Sequence, residues 1–447
     1  MRIDRISNAL AVTLSSALLL SLSDGAARAD FQSCVKSFWP AAKRSGVSSA
    51  TFEKATKALT PDPEVIKLAN YQPEYVKPIG EYVDRAASEK RIANGKQKLI
   101  EYKPLLDQLE KKYGVDRHIL VAIWGVESNY GENPGEQNVI RSLMTLACSG
   151  TKAKYARGQI VSALKVLERG DVSFEAMNGS WAGAMGHTQF IPTTYTAYAV
   201  DYDGDGRRDI WGTIPDALGS TASYLKVSKW IPGQTWGYEV RVPKGVNPNK
   251  ISENTYKTLG QWEKLGFVRV TGQPFPRPGD KANLFAPEGA NGPAFLTLNN
   301  FRSILRYNVA KSYALAVGHL ADRIAGYGPF VQPWPVGENR LSLDQRKELQ
   351  TLLVAQGYLE GDVDGIVGSG TSESIKAYQR AKGLKEDGIP TQTLLKTLRA
   401  EPPPPTPVAV EQPVGAVPAA PTGAVQAVPA PEQPPAKGAG QAAPAPN

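Results

Sequence analysis

The longest apolar run in the chain, residues 9–22 (ALAVTLSSALLLSL), is too short to cross a bilayer comfortably. Arg2 and Arg5 precede it, and Ala27-Arg28-Ala29 follows as an A-x-A cleavage signal, with Asp30 as the expected mature N-terminus. Basic start, apolar core and small-residue cut site together read as a secretory signal peptide over residues 1–29. The competing reading, a membrane anchor, suffers from the run's length, and no Cys stands at the cleavage point to carry a lipid. The expectation is an exported, soluble, periplasmic chain without a membrane anchor, and everything after residue 29 must find its fold in water.

Export implies an oxidising compartment. Cys34 and Cys148 are the only cysteines, so one intramolecular disulfide is available, against the alternative of two buried thiols. With two Cys and three His, an iron–sulfur cluster, a Cys-rich finger or a multi-His zinc site lacks ligands. Loss of the leader leaves a net charge of +7, a weak bias over so long a chain. It permits an anionic partner such as a wall polymer without demanding one, and no nucleic-acid partner is indicated.

Composition divides the remainder. Residues 401–447 hold 14 of the 35 prolines and no aromatic residue; such a segment buries no core and is expected to be a disordered spacer. Within 338–400, Leu343, Leu349, Leu352 and Leu353 have helical spacing, Ile375, Tyr378 and Gln379 mark a second helix, and Leu394, Leu395 and Leu398 a third. Asp364-Gly365 and Asp387-Gly388 supply turns, so a small three-helix bundle is predicted. Residues 30–337 form the large domain. Its pattern is helical to about residue 230, β-like over 236–300 (Tyr238–Val242, Gly266–Val270), and helical again over 308–325. The predicted class is mainly α, α+β, with a small β insertion.

Three stretches of the large domain can carry chemistry. Asp116 is placed to cap a helix whose apolar face is Ile119, Leu120, Ile123 and Val126, and Glu127 follows on that helix, with Gly131 expected to end it. A carboxyl there, with Trp124 one turn back, is partly desolvated, which raises its pKa and suits a general acid. Taken alone, a Glu at a helix end is more often simply solvated. The second stretch runs from Ser180 to Pro192 (SWAGAMGHTQFIP). Its small residues let backbone approach a ligand, Ser180 and Gln189 offer hydrogen bonds, and Met185 offers a soft wall. Its bland reading is a packed turn. The third is Arg306-Tyr307-Asn308 with Tyr313, where tyrosine and amide side chains suit sugar recognition as well as ordinary helix packing.

Taken in order, VESNYG, WAGAMGHTQFIP, DYDGDGRRDIW and RYNVAKSYALAVGHLADRI resemble the lytic murein transglycosylases of the B type over most of residues 34–335. The stretches LQTLLVAQGYLEGDVDGIVGSGT and IKAYQRAKGLKEDGI resemble the peptidoglycan-binding domain carried by many wall enzymes. The resemblance implies a lysozyme-like catalytic domain that cleaves the β-1,4 bond between N-acetylmuramic acid and N-acetylglucosamine and leaves a 1,6-anhydro end. It places Glu127 on the single catalytic acid, with Ser180, Met185, Gln189, Tyr224, Tyr307, Asn308, Tyr313 and Tyr155 around the glycan. Two departures stand out: position 187 is His where Gln or Tyr is usual, and 149–154 (SGTKAK) lacks a paired Arg. The partners implied are glycan strands, with cell-wall synthesis proteins left open. Two rival readings use the same residues: a hydrolytic muramidase, and a non-catalytic wall-binding scaffold.

The loop Asp201-Tyr202-Asp203-Gly204-Asp205-Gly206-Arg207-Arg208-Asp209 has oxygens at positions 1, 3, 5 and 9 and Gly at 6, an EF-hand-like spacing for calcium. Position 12 is Gly212 rather than Glu, and the resemblance offers Asp216 as the closing acid. The alternative is an Asp/Gly turn with no metal, and no cofactor is required by the chemistry. Ser149-Gly150-Thr151-Lys152 matches S-x-x-K but has no S-D-N or K-T-G partner, which argues against a penicilloyl serine enzyme.

Overall fold

A computed structural model describes residues 30–401 apart from 70–77, 150–151, 336–340, 342, 361–362, 364, 366 and 368. The expected leader, and the expected tail from residue 402, lie outside the described residues.

The large domain starts with four short helices, α1 (residues 30–36), α2 (Trp39–Arg44), α3 (Ser49–Thr56) and α4 (Pro63–Leu68). Ser48 and Asp62 accept hydrogen bonds from the first-turn amides of α3 and α4, satisfying donors that a helix start leaves open. Next come α5 (Ile79–Ala86), α6 (Glu89–Glu101), α7 (Lys103–Tyr113) and α8 (Arg117–Ser128). Ser88 caps α6, and Asp116 caps α8 by accepting from the His118 amide. The two-residue strands β1 (Gln137–Asn138) and β2 (Asn178–Gly179) form an antiparallel ribbon around α9 (Val139–Cys148) and α10 (Ala153–Arg169). Then follow α11 (Pro192–Tyr198) and α12 (Ile214–Val227).

The β insertion is one antiparallel sheet of order β4-β6-β7-β3-β5, built from β3 (Gly237–Arg241), β4 (Tyr256–Thr258), β5 (Val268–Arg269), β6 (Lys281–Phe285) and β7 (Ala294–Thr297). Helix α13 (Leu259–Lys264) sits inside it behind a capping box of Thr258 and Gln261. The chain returns to helix as α14 (Asn299–Tyr307) and α15 (Lys311–Ile324). Both predicted β-runs fall on strands, and the fold is helix-rich with a small sheet.

Two helical cores meet in this domain. One gathers around α8 and α15, with Leu120, Ile123, Leu315 and Val317 fully buried. The other joins α1–α4 to α9, α10 and the Met185–Phe190 turn. A disulfide between Cys34 on α1 and Cys148 at the end of α9, with Cα atoms 5.9 Å apart, ties the N-terminal helices to the second core. Closing a loop of 114 residues removes unfolded-state entropy worth on the order of 4–5 kcal/mol.

The C-terminal helices are α16 (Leu343–Ala355), α17 (Ser369–Ala381) and α18 (Gln392–Arg399). They share a core of their own that includes Leu349, Leu353, Ile375, Tyr378 and Leu395. Gln379 holds the second predicted turn: its carbonyl accepts from the Asp387 and Gly388 amides, and its NH2 donates to Asp387.

Candidate active site

Helix α8 is almost wholly buried from Ile119 to Gly125, and Glu127 emerges half-buried near its C-terminus. The helix does not run to Gly131. It stops at Ser128 because Asn129 turns left-handed (φ 51°), followed by Tyr130 (φ 62°) and Gly131 (φ 89°). Left-handed backbone at a bulky residue such as Tyr130 is strained, on the order of 1–3 kcal/mol, and persists only when its surroundings hold it. They do. The Tyr130 ring packs edge-on against Trp124 and over Gly125, where a Cβ would lie 2.6 Å from it, and its hydroxyl donates to the Arg91 carbonyl at 2.8 Å. The Arg91 guanidinium in turn donates to the Asn129 side chain. A contact from 38 residues away thus selects Asn129 as the turning residue.

The stretch from Ser180 to Pro192 lies against this helix end. The Ser128 hydroxyl donates to the His187 carbonyl at 2.6 Å, and the Trp124 indole N–H donates to His187 Nδ1 at 3.1 Å. The His187 amide donates to the Ile210 carbonyl at 3.0 Å. Gly131 passes beneath the His187 ring so closely that a Cβ would sit 2.2 Å from it. His187 therefore clamps α8 on both sides of Glu127. Burial pushes its pKa below the ordinary value, which favours the neutral ring that the Trp124 bond requires. Nothing in its sequence spacing announced this partner, 63 residues away.

From the other side, the Tyr313 hydroxyl on α15 donates to Glu127 Oε1 at 2.6 Å. Tyr313 is 2% exposed, and burial, reinforced by the Glu127 charge, raises its pKa far above the ordinary phenol value. It stays protonated and always presents a donor to the carboxylate. Tyr307, raised for the same reasons, donates to the Thr188 carbonyl and packs on Phe190 and Tyr224. It touches both helical cores, so this corner of the site is the seam between them. The Tyr224 hydroxyl donates to the Arg306 carbonyl, and Asn308 Oδ1 accepts from the Ala310 amide at the start of α15.

The remaining predicted residues divide. Ser180 is partly exposed and accepts from the Ala184 amide, leaving its own O–H to donate. Gln189 adopts φ 52° and spends its NH2 on the Pro134 and Gly186 carbonyls, both at 2.8 Å. Tyr155 donates to the Ala182 carbonyl. Met185 is a correction: it is 0% exposed, with its backbone paired to Phe190, so it supports the turn from behind and offers no exposed wall. The small residues also serve a different purpose from the one expected. A Cβ on Gly186 (φ 65°) would lie 2.4 Å from the Ile210 carbonyl, so the close approach there is to protein backbone.

In the acidic loop, Asp201, Asp203 and Asp205 converge, each offering an oxygen within 4.8 Å of the others on an exposed surface. Asp209 and Asp216 do not join them. Buried Asp216 accepts from the Tyr202, Asp203 and Asp209 amides and Asp209 from Trp211 and Gly212, just as Asp201 accepts from Gly204 and Gly206 and Asp205 from Arg207, so all of these acids also brace the loop. Three converging hard oxygens fit a cation such as calcium.

A buried helix presenting one carboxylate, faced by a buried tyrosine and a glycine-rich turn, matches a known family. Residues 30–322 match the transglycosylase SLT domain and residues 342–398 the "Putative peptidoglycan binding domain". The chain belongs to the SLT transglycosylase family and carries that second domain at its C-terminal end. Among individual relatives, it is 47% identical to SltB3 from Pseudomonas aeruginosa, covering 83% of this chain and 99% of that one with a TM-score of 0.77. That protein has been solved in complex with NAG-NAM-pentapeptide and with NAG-anhNAM-pentapeptide. The membrane-bound lytic murein transglycosylase B of Escherichia coli K12 is 32% identical over 237 residues, which span 52% of this chain and 64% of that relative. The Escherichia coli lytic transglycosylase Slt35, solved in complex with calcium, is 26% identical over 67% of this chain and 93% of that one, at a TM-score of 0.56. No helix among the described residues is long and apolar enough to cross a membrane.

Proposed function

We propose that this chain is an exported lytic transglycosylase of peptidoglycan. Residues 1–29 serve as leader, 30–337 as the catalytic domain, 338–400 as the wall-binding domain and 401–447 as a spacer, and the mature protein works in the periplasm. It would cut the MurNAc–GlcNAc β-1,4 bond and close a 1,6-anhydro ring on the muramic acid. The observation that carries this reading is Glu127, a half-buried carboxyl fixed by the Tyr313 hydroxyl in a chain of the SLT family.

Glu127, protonated, gives its proton to the leaving glycosidic oxygen as the bond to C1 breaks. The substrate's N-acetyl oxygen bonds to C1 and relieves the charge. Glu127, now a carboxylate steadied by the Tyr313 O–H, takes the proton from the C6 hydroxyl. O6 then bonds to C1 and displaces the acetamido oxygen. No water enters, and a nucleophile already on the sugar has a high effective molarity. This is why one carboxylate serves where hydrolytic glycosidases use two. Ser180, Gln189, Tyr224, Tyr307, Asn308 and Tyr155 are assigned to holding the strand, with the amide of Asn308 and the O–H of Ser180 suited to the N-acetyl group. The relative solved with an anhydro product supports the ring closure.

Glu127→Gln should lower cleavage of purified sacculi at least ~10²–10⁴-fold while sacculus binding persists. Mass spectrometry of wild-type products should find ends one water lighter than reducing ends. Reducing ends alone would make the chain a muramidase, and undiminished cleavage by the variant would dismiss Glu127.

No cofactor is assigned to the chemistry. Asp201, Asp203 and Asp205 would hold a structural calcium ion, a reading supported by the relative solved with calcium. Added calcium should raise the melting temperature by about 2–5 °C, chelation should reverse the shift, and Asp203→Asn should remove it.

A further inference from the structure

Helices α5 and α15 run together away from the candidate site. At one end, Tyr82 lies near enough to Tyr313 to contribute to its raised pKa. At the other end, six to ten residues along α15 and so roughly 9–15 Å away, the pair opens on a separate cavity of about 320 Å³. Phe330 and Trp334 form its aromatic wall, and His319, Arg323, Asp84 and Glu89 line the rest. A volume of this size lies at the small end of the range for small-molecule sites.

The chemistry inside it is specific. His319 is 5% exposed and stacks on Phe330 with ring centroids 3.8 Å apart, yet among the described residues its ring nitrogens make no hydrogen bond. The ring lines the cavity, so its nitrogens are open to a ligand there. Burial pushes its pKa down to about 4, so the ring is neutral and offers one donor and one acceptor together. Among the described residues the one ion pair of Arg323, whose side chain is 17% exposed, is at 2.8 Å with Glu89, whose side chain is 82% exposed. Such a pair contributes little and yields readily to a better anion. Asp84 has no hydrogen-bond or ion-pair partner among the described residues, and its pKa is raised by partial burial, so a cation beside it would be welcome.

We propose that this cavity is a second binding site that takes a peptide end bearing both a carboxylate and an ammonium group, the carboxylate on Arg323 and the ammonium at Asp84 and Glu89. His319 would bond the peptide between them, and Phe330 and Trp334 would cover its aliphatic part. The proposal deepens the proposed function, on which it rests: the substrate would be a glycan strand that carries peptides. An extended peptide of five residues reaches roughly 17 Å, more than the roughly 9–15 Å of α15 that separates Tyr313, the partner of Glu127, from His319 and Arg323.

Saturation-transfer NMR with the full chain tests it, using the Nα-acetylated dipeptide L-lysyl-D-alanine and its Nε-acetylated and C-amidated forms as probes. The Nα-acetylated dipeptide should give a saturable signal at concentrations up to about 10 mM. Capping either end should weaken the signal at least ~5-fold, as should Arg323→Gln and the exposed substitution Asp84→Asn, with the melting temperature of each variant checking that the fold persists. The ratio of cleavage rates on peptide-bearing and peptide-free strands should fall ~5-fold or more in the same variants. Absence of signal, or equal signal from capped probes and variants, overturns the proposal. If that happens while sacculi are still cut, the second site alone has failed; dipeptide binding without glycan cleavage sinks the catalytic reading instead.

Discussion

Both the catalytic domain and the C-terminal three-helix domain turn left-handed mostly at glycines, but among the described residues only the first also does so at other residues. Among the described residues, every non-glycine position with positive φ lies between 129 and 229, including Asn129, Tyr130 and Gln189. Among the described residues of the C-terminal domain the left-handed positions are all glycines: Gly357, Gly365, Gly383 and Gly388. One region relaxes wherever it turns. The other holds strained turns beside Glu127 through a network of hydrogen bonds from distant elements. Strain persists where something else fixes the chain, and three of the five such residues, Asn129, Tyr130 and Gln189, lie in the two stretches that build the candidate site.

The largest effect that bears on this contrast should come from Tyr313→Phe. It removes a hydroxyl that donates to Glu127 Oε1 and keeps the ring that packs. A hydrogen bond to a charged group is worth ~1.5–3 kcal/mol, so kcat on soluble glycan fragments should fall about 10–100-fold with little loss of fold. A smaller loss would mean the network around Glu127 is structural only. A matched pair of substitutions sharpens the point. Gly388→Ala forces φ 69° on a Cβ that would meet the Ser372 carbonyl at 3.1 Å, and urea melts should show a cost of ~1–2 kcal/mol to the C-terminal domain. Gln189→Gly relieves φ 52° but loses two hydrogen bonds, so stability should move by less than ~1 kcal/mol while cleavage falls about 10-fold.

The smallest effect concerns a half-buried charge. Asp322 is half-buried, and desolvation raises its pKa to about 7 although the Trp236 indole N–H opposes this. The unfolded chain loses that proton near the ordinary carboxylate value. Between about pH 4 and 7 the folded state is therefore the one that keeps the proton, and stability falls as pH rises through that window. Asp322→Asn keeps an acceptor for Trp236 and removes the penalty. Its melting temperature should exceed that of the wild type by roughly 3–6 °C near pH 8, with the gain shrinking toward pH 5.

What sequence revealed was what local pattern controls. The Asp116 cap, the apolar face ahead of Glu127, the β-runs at Tyr238 and Val268 and the leucines of the C-terminal helices are set by neighbours a few residues away. What it concealed depends on contacts across the fold. Gly131 looked like the helix stop, but Asn129 takes that place because Arg91 reaches it. Met185 looked like a ligand wall, but the second core absorbs it. His187 stood out only as a departure from a pattern, and its role depends on Trp124 and Ser128.

The Cys34–Cys148 bridge also has a mechanical side. Tension applied at the N-terminus would run along the chain to Cys34, cross the sulfurs and continue from Cys148. The 113 residues in between would carry none of the load, and Glu127 is among them. A pull on either end of this chain would reach the wall-binding helices without stretching the segment that carries the acid.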